Sequence, residues 1–259
     1  PEEHARSELV QQLSKLADFY VNDAFAAAHR AQCSLTGFTV VLPSAAGRLL
    51  EKELTSLEKV VQNPEKPSVF LFGGAKFADG ITTIDRLLTN TTADHVLLTG
   101  LTANAFLKAN GVNLGEKNEA AFGEEGTPEI FSEIKKVYMK FEKRIHLPVD
   151  FAVEQHGERT ELAIEDLPTD KNLFDIGEVT IQNYKKLLAP AKTIFISGPC
   201  GVFENPLFRK GTEEIFKCIT QSKAFSIAGG GHTVAAIEQM KLRQKSPTSA
   251  RAGVRWRNL

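Results

Sequence analysis

Three glycine-rich segments of this sequence each follow a short apolar run and precede a stretch with helical periodicity. They read GGAKFADG at 73–80, GPCGVFENPLFRKGT at 198–212 and GGGHT at 229–233. A turn of this kind points bare backbone N–H groups outward at the start of a helix, where they and the helix dipole attract an anion. The three segments therefore predict a site for phosphate groups.

The first segment adds one ammonium and one carboxylate to this bare backbone. Lys76 follows Gly73 and Gly74 and can neutralise a phosphoryl group during transfer, and Asp79 lies just beyond it. An ordinary strand-to-helix turn with a solvated lysine has the same pattern. Neither G-x-x-x-x-G-K-[ST] nor G-x-G-x-x-G occurs in the chain, so the two commonest phosphate-binding motifs are absent from the sequence.

The third segment places Gly229, Gly230 and Gly231, then His232 and Thr233, directly before the helical run VAAIEQM. Exposed N–H groups and the positive end of a helix dipole suit a polyphosphate. A tight turn selected for close packing of helix on strand is the alternative interpretation.

The elements that position these turns alternate along the chain. Short β-rich runs from Ser68 onward (SVFLF, HVLLT, HLPVDFAV, TELAI, TIFIS and AFSIA) alternate with helical stretches, which predicts an α/β fold with a largely parallel sheet. Such sheets bind nucleotides at the carboxyl ends of their strands. Before them, the sequence predicts one helix over about 1–17 and another over 48–61, which we interpret as a connection between two domains.

Composition limits the partners that this chain can attract. The 259 residues are 42% hydrophobic and carry a formal net charge of -1, so overall charge recruits neither nucleic acid nor an anionic membrane. No apolar run reaches the roughly 18 residues that a membrane span needs. The three cysteines are far apart and in no C-x-x-C pair, which favours a reducing compartment, and we expect a cytoplasmic protein.

The central segment is the most specific, because GPxGVFE followed closely by F-x-K-G-T resembles phosphoglycerate kinases. Further pieces that are similar to this family follow in the family's order. They are NDAFAAAHR at 22–30, AGRLLEKEL at 46–54, GGAKFAD at 73–79, ANAFLKANGVNLG at 103–115, LPVD at 147–150 and DIG at 175–177.

The resemblance implies a two-lobed kinase of glycolysis and gluconeogenesis, with a Rossmann-like parallel sheet sandwiched by helices in its nucleotide-binding lobe. The amino-terminal lobe would hold 3-phosphoglycerate or 1,3-bisphosphoglycerate, and the carboxyl-terminal lobe would hold ATP or ADP with Mg²⁺. Phosphoryl transfer between 1,3-bisphosphoglycerate and ADP needs no covalent enzyme intermediate and depends on positioning and charge stabilisation. No nucleic acid and no membrane take part.

By position, the resemblance assigns Lys76, Gly229 and Gly230 to catalysis at the transferring phosphoryl group. Glu204 matches a carboxylate that holds the ribose, and Gly100 and Leu101 match the adenine slot. The full nucleotide-binding set is Gly73, Gly74, Lys76, Gly100, Leu101, Gly201, Glu204, Gly229, Gly230, Gly231, His232 and Thr233. Arg30 matches an arginine that binds the substrate phosphate, for which a guanidinium is suited, and Asp79 matches a carboxylate that orders the metal-bound phosphates.

Three residues depart from the family pattern. His232 replaces an aspartate near Mg²⁺, Gly80 replaces a second phosphate-binding lysine, and Ser197 replaces an asparagine. An imidazole is a poor ligand for so hard an ion. The histidine and the missing lysine resemble the archaeal branch of the family.

The resemblance also divides the chain. It implies that residues 1–46 are the remnant of the substrate-binding lobe, 47–64 an interdomain helix, 65–245 the nucleotide-binding lobe and 246–259 an aberrant tail. The family would continue after Lys245 with I-T-H-I-S-T-G-G-G-A, and one base lost at that codon accounts for the sequence SPTSARAGVRWRNL. A native basic tail that contacts nucleic acid is the alternative.

Three functions of different classes remain open from the sequence. The first is a phosphoglycerate kinase whose present fragment is inactive alone, and the second is a non-catalytic module that binds ADP or ATP. The third, a dinucleotide-dependent oxidoreductase, lacks its G-x-G-x-x-G motif. His95, His146 and His156 show no metal-ligand spacing, and Cys200 is expected to be a small structural residue.

Overall fold

The computed structural model describes residues 2–28, 30–75 and 77–242, without the side chains of Ala26 and Asp79. The predicted tail at 246–259 lies outside these residues. Within them, the α-helices are α1 Glu2–Ala5, α2 Glu8–Leu13, α3 Phe38–Val41, α4 Arg48–Val61, α5 Ala78–Thr89, α6 Gly100–Ala109, α7 Glu116–Ala120, α8 Pro128–Phe141, α9 Glu178–Leu188, α10 Lys210–Gln221 and α11 Gly231–Gln239. The strands are β1 Tyr20–Asn22, β2 Ser44–Ala46, β3 Ser68–Phe72, β4 His95–Leu98, β5 Ile145–His146, β6 Asp150–Gln155, β7 Glu158–Ala163, β8 Asp175–Ile176, β9 Thr193–Ser197 and β10 Phe225–Gly229.

A five-stranded parallel sheet in the order β10-β9-β3-β4-β5 forms the centre of the fold. The chain builds outward from β3 to β4 and β5, and then returns to add β9 and β10 on the other side. The order of the strands therefore reverses between β3 and β9, and ligands of open α/β sheets bind at such a switch point. The α/β fold class predicted from the sequence is confirmed.

Side chains that alternate along each strand bury both faces of this sheet. Phe70 and Phe72 of β3 pack into one apolar cluster, whereas Val69 and Leu71 pack into the other. Helices α5, α6 and α8 cover the first face, and α9, α10 and α11 cover the second. Burial on both faces explains why the central strands are almost continuously apolar in sequence. None of the described helices is both long and apolar enough to cross a membrane.

The runs DFAVEQ and ERTELA do not join the parallel sheet. Instead β6 pairs antiparallel with β7 and β8 in a separate three-stranded sheet. The physical reason is the two-residue turn His156-Gly157, where both residues have positive φ, 54° and 79°. Such a turn reverses the chain directly into an antiparallel hairpin.

The predicted helix over 1–17 is also wrong in part, because it is interrupted at Arg6 and Ser7. The Ser7 hydroxyl accepts a hydrogen bond from the Val10 N–H, at 3.4 Å, and so starts a second helix, α2. The helix predicted over 48–61 is confirmed as α4. The Asp23 carboxylate accepts from the Leu50 N–H at 2.8 Å and caps the first turn of α4.

The turns after β3 and β9 touch at the switch point. The Gly73 N–H donates to the Ser197 carbonyl at 2.7 Å, and a Cβ added to Gly73 would lie 2.2 Å from the Pro199 carbonyl oxygen. Gly198 has φ +91°, and a Cβ added there would lie 2.2 Å from the Gly73 carbonyl oxygen. Both positions therefore require glycine.

We predict that Gly73→Ala destabilises the chain by about 2 kcal/mol or more, because the methyl group would collide with backbone that cannot move independently. Gly80→Ala is the matched control, since Gly80 lies in α5 with open space around it and an alanine there should stabilise the helix slightly. Urea unfolding of both variants measures the two effects. Equal stability of the two variants would contradict the tight contact at Gly73.

Two histidines meet where the edge strand β5 pairs with β4. His95 Nδ1 and His146 Nε2 lie 3.0 Å apart, and both rings are partly buried. Burial of the imidazole, with a further contribution from the charge of His95, lowers the pKa of His146 to about 4. The neutral form of His146 is therefore the one that fits this part of the fold.

This pair predicts a loss of stability in acid. Because the pKa of His146 is lower in the folded chain than the usual 6.5, the unfolded chain takes up this proton first as the pH falls from about 6.5 to about 4. The free energy of unfolding should decrease over that range, and His146→Asn should make the decrease smaller. His156→Asn, which removes an exposed imidazole, serves as the control. If the dependence of the free energy of unfolding on pH is the same in His146→Asn as in wild type, this account is wrong.

Candidate nucleotide site

A cavity of about 470 Å³ opens at the carboxyl ends of the central strands, beside the switch point. Six of the sequence-predicted site residues line it, namely Gly74, Gly100, Leu101, Gly201, Glu204 and His232. They come from the segments after β3, β4, β9 and β10, which are far apart in sequence. The parallel sheet thus brings together turns that are separate in the sequence.

The other predicted site residues that the structure describes do not line this cavity. Gly73 directly precedes the lining residue Gly74, and the turn formed by Gly229, Gly230 and Gly231 precedes the lining residue His232. Arg30 is exposed in the amino-terminal segment. Lys76 and the side chain of Asp79 lie outside the described residues, so their predicted roles stay predictions.

Thr233 is fully buried and its hydroxyl has a structural partner. The Gly198 N–H donates to the Thr233 hydroxyl at 2.7 Å, which fastens the turn after β9 to the first turn of α11. Gly230, with φ +86°, turns the chain from β10 into this helix. The first N–H groups of α11 therefore begin at Gly231 beside the cavity, where the helix dipole favours negative charge.

The turn after β4 is fixed to the turn after β3. The Leu101 N–H donates to the Gly74 carbonyl at 3.0 Å, and Gly100 has φ +57°. A Cβ added to Gly100 would lie 3.0 Å from the Gly74 nitrogen. This contact directs the start of α6, with the Leu101 side chain, along one wall of the cavity.

The buried carboxylate of Asp175 supports the turn after β9, which contributes Gly201 and Val202 to the cavity. Asp175 accepts hydrogen bonds at Oδ2 from Arg159 Nη1, at 2.8 Å, and from the Gly211 N–H, at 2.7 Å. Gly201 packs against this carboxylate, because a Cβ added to Gly201 would lie only 2.6 Å from Asp175 Oδ1. In addition, the Val202 N–H donates to the Phe174 carbonyl at 2.8 Å. The GPCGVFE turn thus rests directly on strand β8.

The titratable side chains in and around the cavity are partly buried and partly exposed. Burial raises the pKa of Asp175 to about 6, and the Gly211 N–H and the Arg159 guanidinium oppose that rise. Burial also raises the pKa of the Cys200 thiol, which therefore stays neutral and unreactive, in line with the structural role expected from the sequence. Among the described lining residues, Glu204 and His232 are the titratable ones, and both are exposed.

The sequence analysis missed the residues that complete the walls. The cavity is also lined by Ala75, Asn104, Asn118, Ala121, Asn172, Leu173, Phe174, Pro199 and Val202. Asn118 ties one wall together, because its Nδ2 donates to the Leu114 and Lys171 carbonyls at 3.0 Å and its Oδ1 accepts from the Leu173 N–H at 2.9 Å. A polar residue inside the apolar run ANAFL was the available signal for Asn104.

No group of three or more His, Cys, Asp or Glu side chains that could hold a metal ion occurs in the part of the chain that the structure describes. What the geometry offers is a cavity lined by apolar side chains, among them Leu101, Phe174 and Val202, which the first turn of α11 reaches at His232. An anionic ligand with a flat apolar group fits both features.

Comparison with known proteins identifies the family. A family model described as "Phosphoglycerate kinase" matches residues 1–250. The phosphoglycerate kinase of Methanothermus fervidus is 44% identical over 245 residues, which cover 95% of this chain and 60% of that protein. That of Methanobacterium bryantii is 46% identical over 242 residues, covering 93% and 59% respectively. The chain spans about 60% of the length of the curated relatives it matches.

Solved structures give the same result. The crystal structure of the phosphoglycerate kinase from Pyrococcus horikoshii matches with a TM-score of 0.85 and 36% identity, covering 98% of this chain and 66% of that one. The structure from Coxiella burnetii matches with a TM-score of 0.80 and 34% identity, covering 93% and 62%. The resemblance inferred from GPCGVFE and its neighbouring motifs is confirmed, and the chain belongs to the phosphoglycerate kinase family.

Proposed function

We propose that this chain forms the nucleotide-binding part of a phosphoglycerate kinase, which transfers a phosphoryl group reversibly between 1,3-bisphosphoglycerate and ADP. The observation that carries the proposal is the cavity at the switch point, where the turns after β3, β4, β9 and β10 meet. Its relatives are named phosphoglycerate kinases. The three free cysteines support a reducing compartment, and we propose the cytoplasm.

Different residues in and beside the cavity suit different parts of an adenine nucleotide. Leu101, Phe174 and Val202 supply apolar surface for the base. The Glu204 carboxylate, at the edge of the cavity, would accept hydrogen bonds from the ribose hydroxyls. The N–H groups at Gly230 and Gly231 would then receive the phosphates at the start of α11.

Catalysis in this proposal depends on charge and position. The N–H groups of the glycine turns and the Lys76 ammonium would stabilise the negative charge on the phosphoryl group as it moves, without a covalent intermediate. Mg²⁺ would enter with the nucleotide as part of the substrate. Asp79 would help to order it, because a carboxylate suits Mg²⁺ and the imidazole of His232 does not.

The acceptor side of the reaction would lie in the amino-terminal segment. Arg30 is proposed to bind the phosphate of 3-phosphoglycerate, for which an exposed guanidinium is suited. Residues 1–46 would belong to the substrate-binding lobe, 47–64 to an interdomain helix and 65–245 to the nucleotide-binding lobe. Closure of the two lobes would exclude water from the phosphoryl group.

We predict that the 259-residue chain binds ADP and that Glu204→Ala weakens this binding by about tenfold or more, since hydrogen bonds to a charged acceptor are lost. Affinity for inorganic pyrophosphate should stay unchanged, because pyrophosphate has no ribose. Isothermal titration calorimetry measures both ligands.

Glu165→Ala is the matched control, because Glu165 is an exposed glutamate that does not line the cavity. Absence of ADP binding at millimolar concentration, by a chain whose circular dichroism shows it folded, would refute the proposed nucleotide site. Equal loss of ADP and pyrophosphate affinity in Glu204→Ala would refute the ribose contact.

A further inference from the structure

Asn104 is a buried polar residue without a hydrogen-bonding partner for its side chain. It lies in α6, is only 7% exposed, and its remaining accessible surface faces the cavity. No hydrogen bond joins its side-chain amide to any residue that the structure describes. The amide atoms of Asn104 keep contact with solvent through the cavity, because the buried and unpaired side-chain atoms among the described residues are Thr99 Oγ1 and Arg209 Nε. A ligand that fills the cavity displaces this water and must then pair with the amide, since an unpaired donor and acceptor would lose their hydration without compensation. Such a group at the wall of a cavity points to a ligand.

The position of Asn104 relative to the apolar walls defines the kind of ligand. Leu101 precedes it by three residues and lies on the same face of α6, so both side chains line the slot. Leu173, Phe174 and Val202 contribute further apolar surface to the same cavity. A flat group that packs on these side chains would present its polar edge to the amide.

The other two asparagines that line the cavity, Asn118 and Asn172, differ from Asn104. Both ends of the Asn118 side chain are engaged, with its Nδ2 donating to two carbonyls and its Oδ1 accepting from the Leu173 N–H. Asn172 is exposed, so water satisfies it. Asn104 is the amide that is both buried and unpaired among the described lining residues.

We propose that Asn104 reads the edge of the purine base and thereby sets the base preference of the site. Its Nδ2 donates to a ring nitrogen of adenine, and its Oδ1 accepts from the 6-amino group, a pairing for which the asparagine amide is matched. The inference rests on the proposed function, since it requires that a nucleotide occupies the cavity. It makes Asn104 a specificity-determining residue rather than a packing residue.

The test compares two nucleotides that differ in one group. Purine riboside 5′-diphosphate lacks the 6-amino group of ADP and is otherwise identical to it. The wild-type chain should bind ADP about tenfold more tightly than this analogue, because only ADP satisfies the Asn104 oxygen. Asn104→Leu, which keeps the branching at Cγ but has no polar atoms, should bind the two nucleotides equally.

Asn110→Leu is the matched control, because it makes the same change in the residue that ends α6, outside the cavity. It should keep the tenfold preference for ADP. The free Asn104→Leu chain should unfold at a temperature close to that of wild type, since the amide makes no hydrogen bond to a described residue.

Each result has one meaning. Failure of the wild-type chain to bind ADP at all contradicts the proposed function. ADP binding without preference over the analogue, in the wild-type chain, overturns the role of Asn104 and leaves the nucleotide site intact. A preference that persists in Asn104→Leu also overturns it. If Asn104→Leu does not fold, the comparison of the two nucleotides on the wild-type chain and on Asn104→Ser decides the question.

Discussion

The contact between the turns after β3 and β9 is the constraint on which the site depends. Gly73 and Gly198 approach so closely that neither can carry a side chain. Through this contact the two central strands end at the same level. Two further hydrogen bonds connect the neighbouring helices α6 and α11 to these turns. The Thr233 hydroxyl fastens α11 to the Gly198 turn, and the Gly74 carbonyl fastens α6 to the Gly73 turn. A shift of either turn would therefore move the first turns of α6 and α11, which contribute Leu101 and His232 to the cavity.

A buried ion pair provides the second support. Asp175 is inaccessible to solvent and is held by Arg159 and by the Gly211 N–H at the start of α10. Removal of one partner from such a pair leaves an uncompensated buried charge, at a cost of about 3–5 kcal/mol. Because Gly201 packs on Asp175, this ion pair fixes the position of the turn that ends in Glu204. The site is thus held by backbone contacts on one side and by a charge on the other.

Much of the fold followed from local sequence patterns. The apolar periodicity of 48–61 and the glycine turns after β3, β9 and β10 are properties of neighbouring residues, and they were predicted correctly. The hairpin at His156-Gly157 was missed because positive φ at a histidine has no strong sequence signal. Phe174 was missed for another reason, because it reaches the cavity only through long-range packing, which no motif encodes. Asn104 had a local signal, a polar residue inside the apolar run ANAFL, but its place at the cavity also depends on long-range packing.

The central claim is that nucleotide occupies the cavity at the switch point, with its base beside Leu101 and its phosphates at the start of α11. A crystal structure of the chain with ADP tests this most directly. The account predicts the base between Leu101 and Phe174, within hydrogen-bonding distance of Asn104, and the phosphates at Gly230 and Gly231. Nucleotide bound in the groove between α9 and α10, beside Lys185 and Lys217, would contradict it.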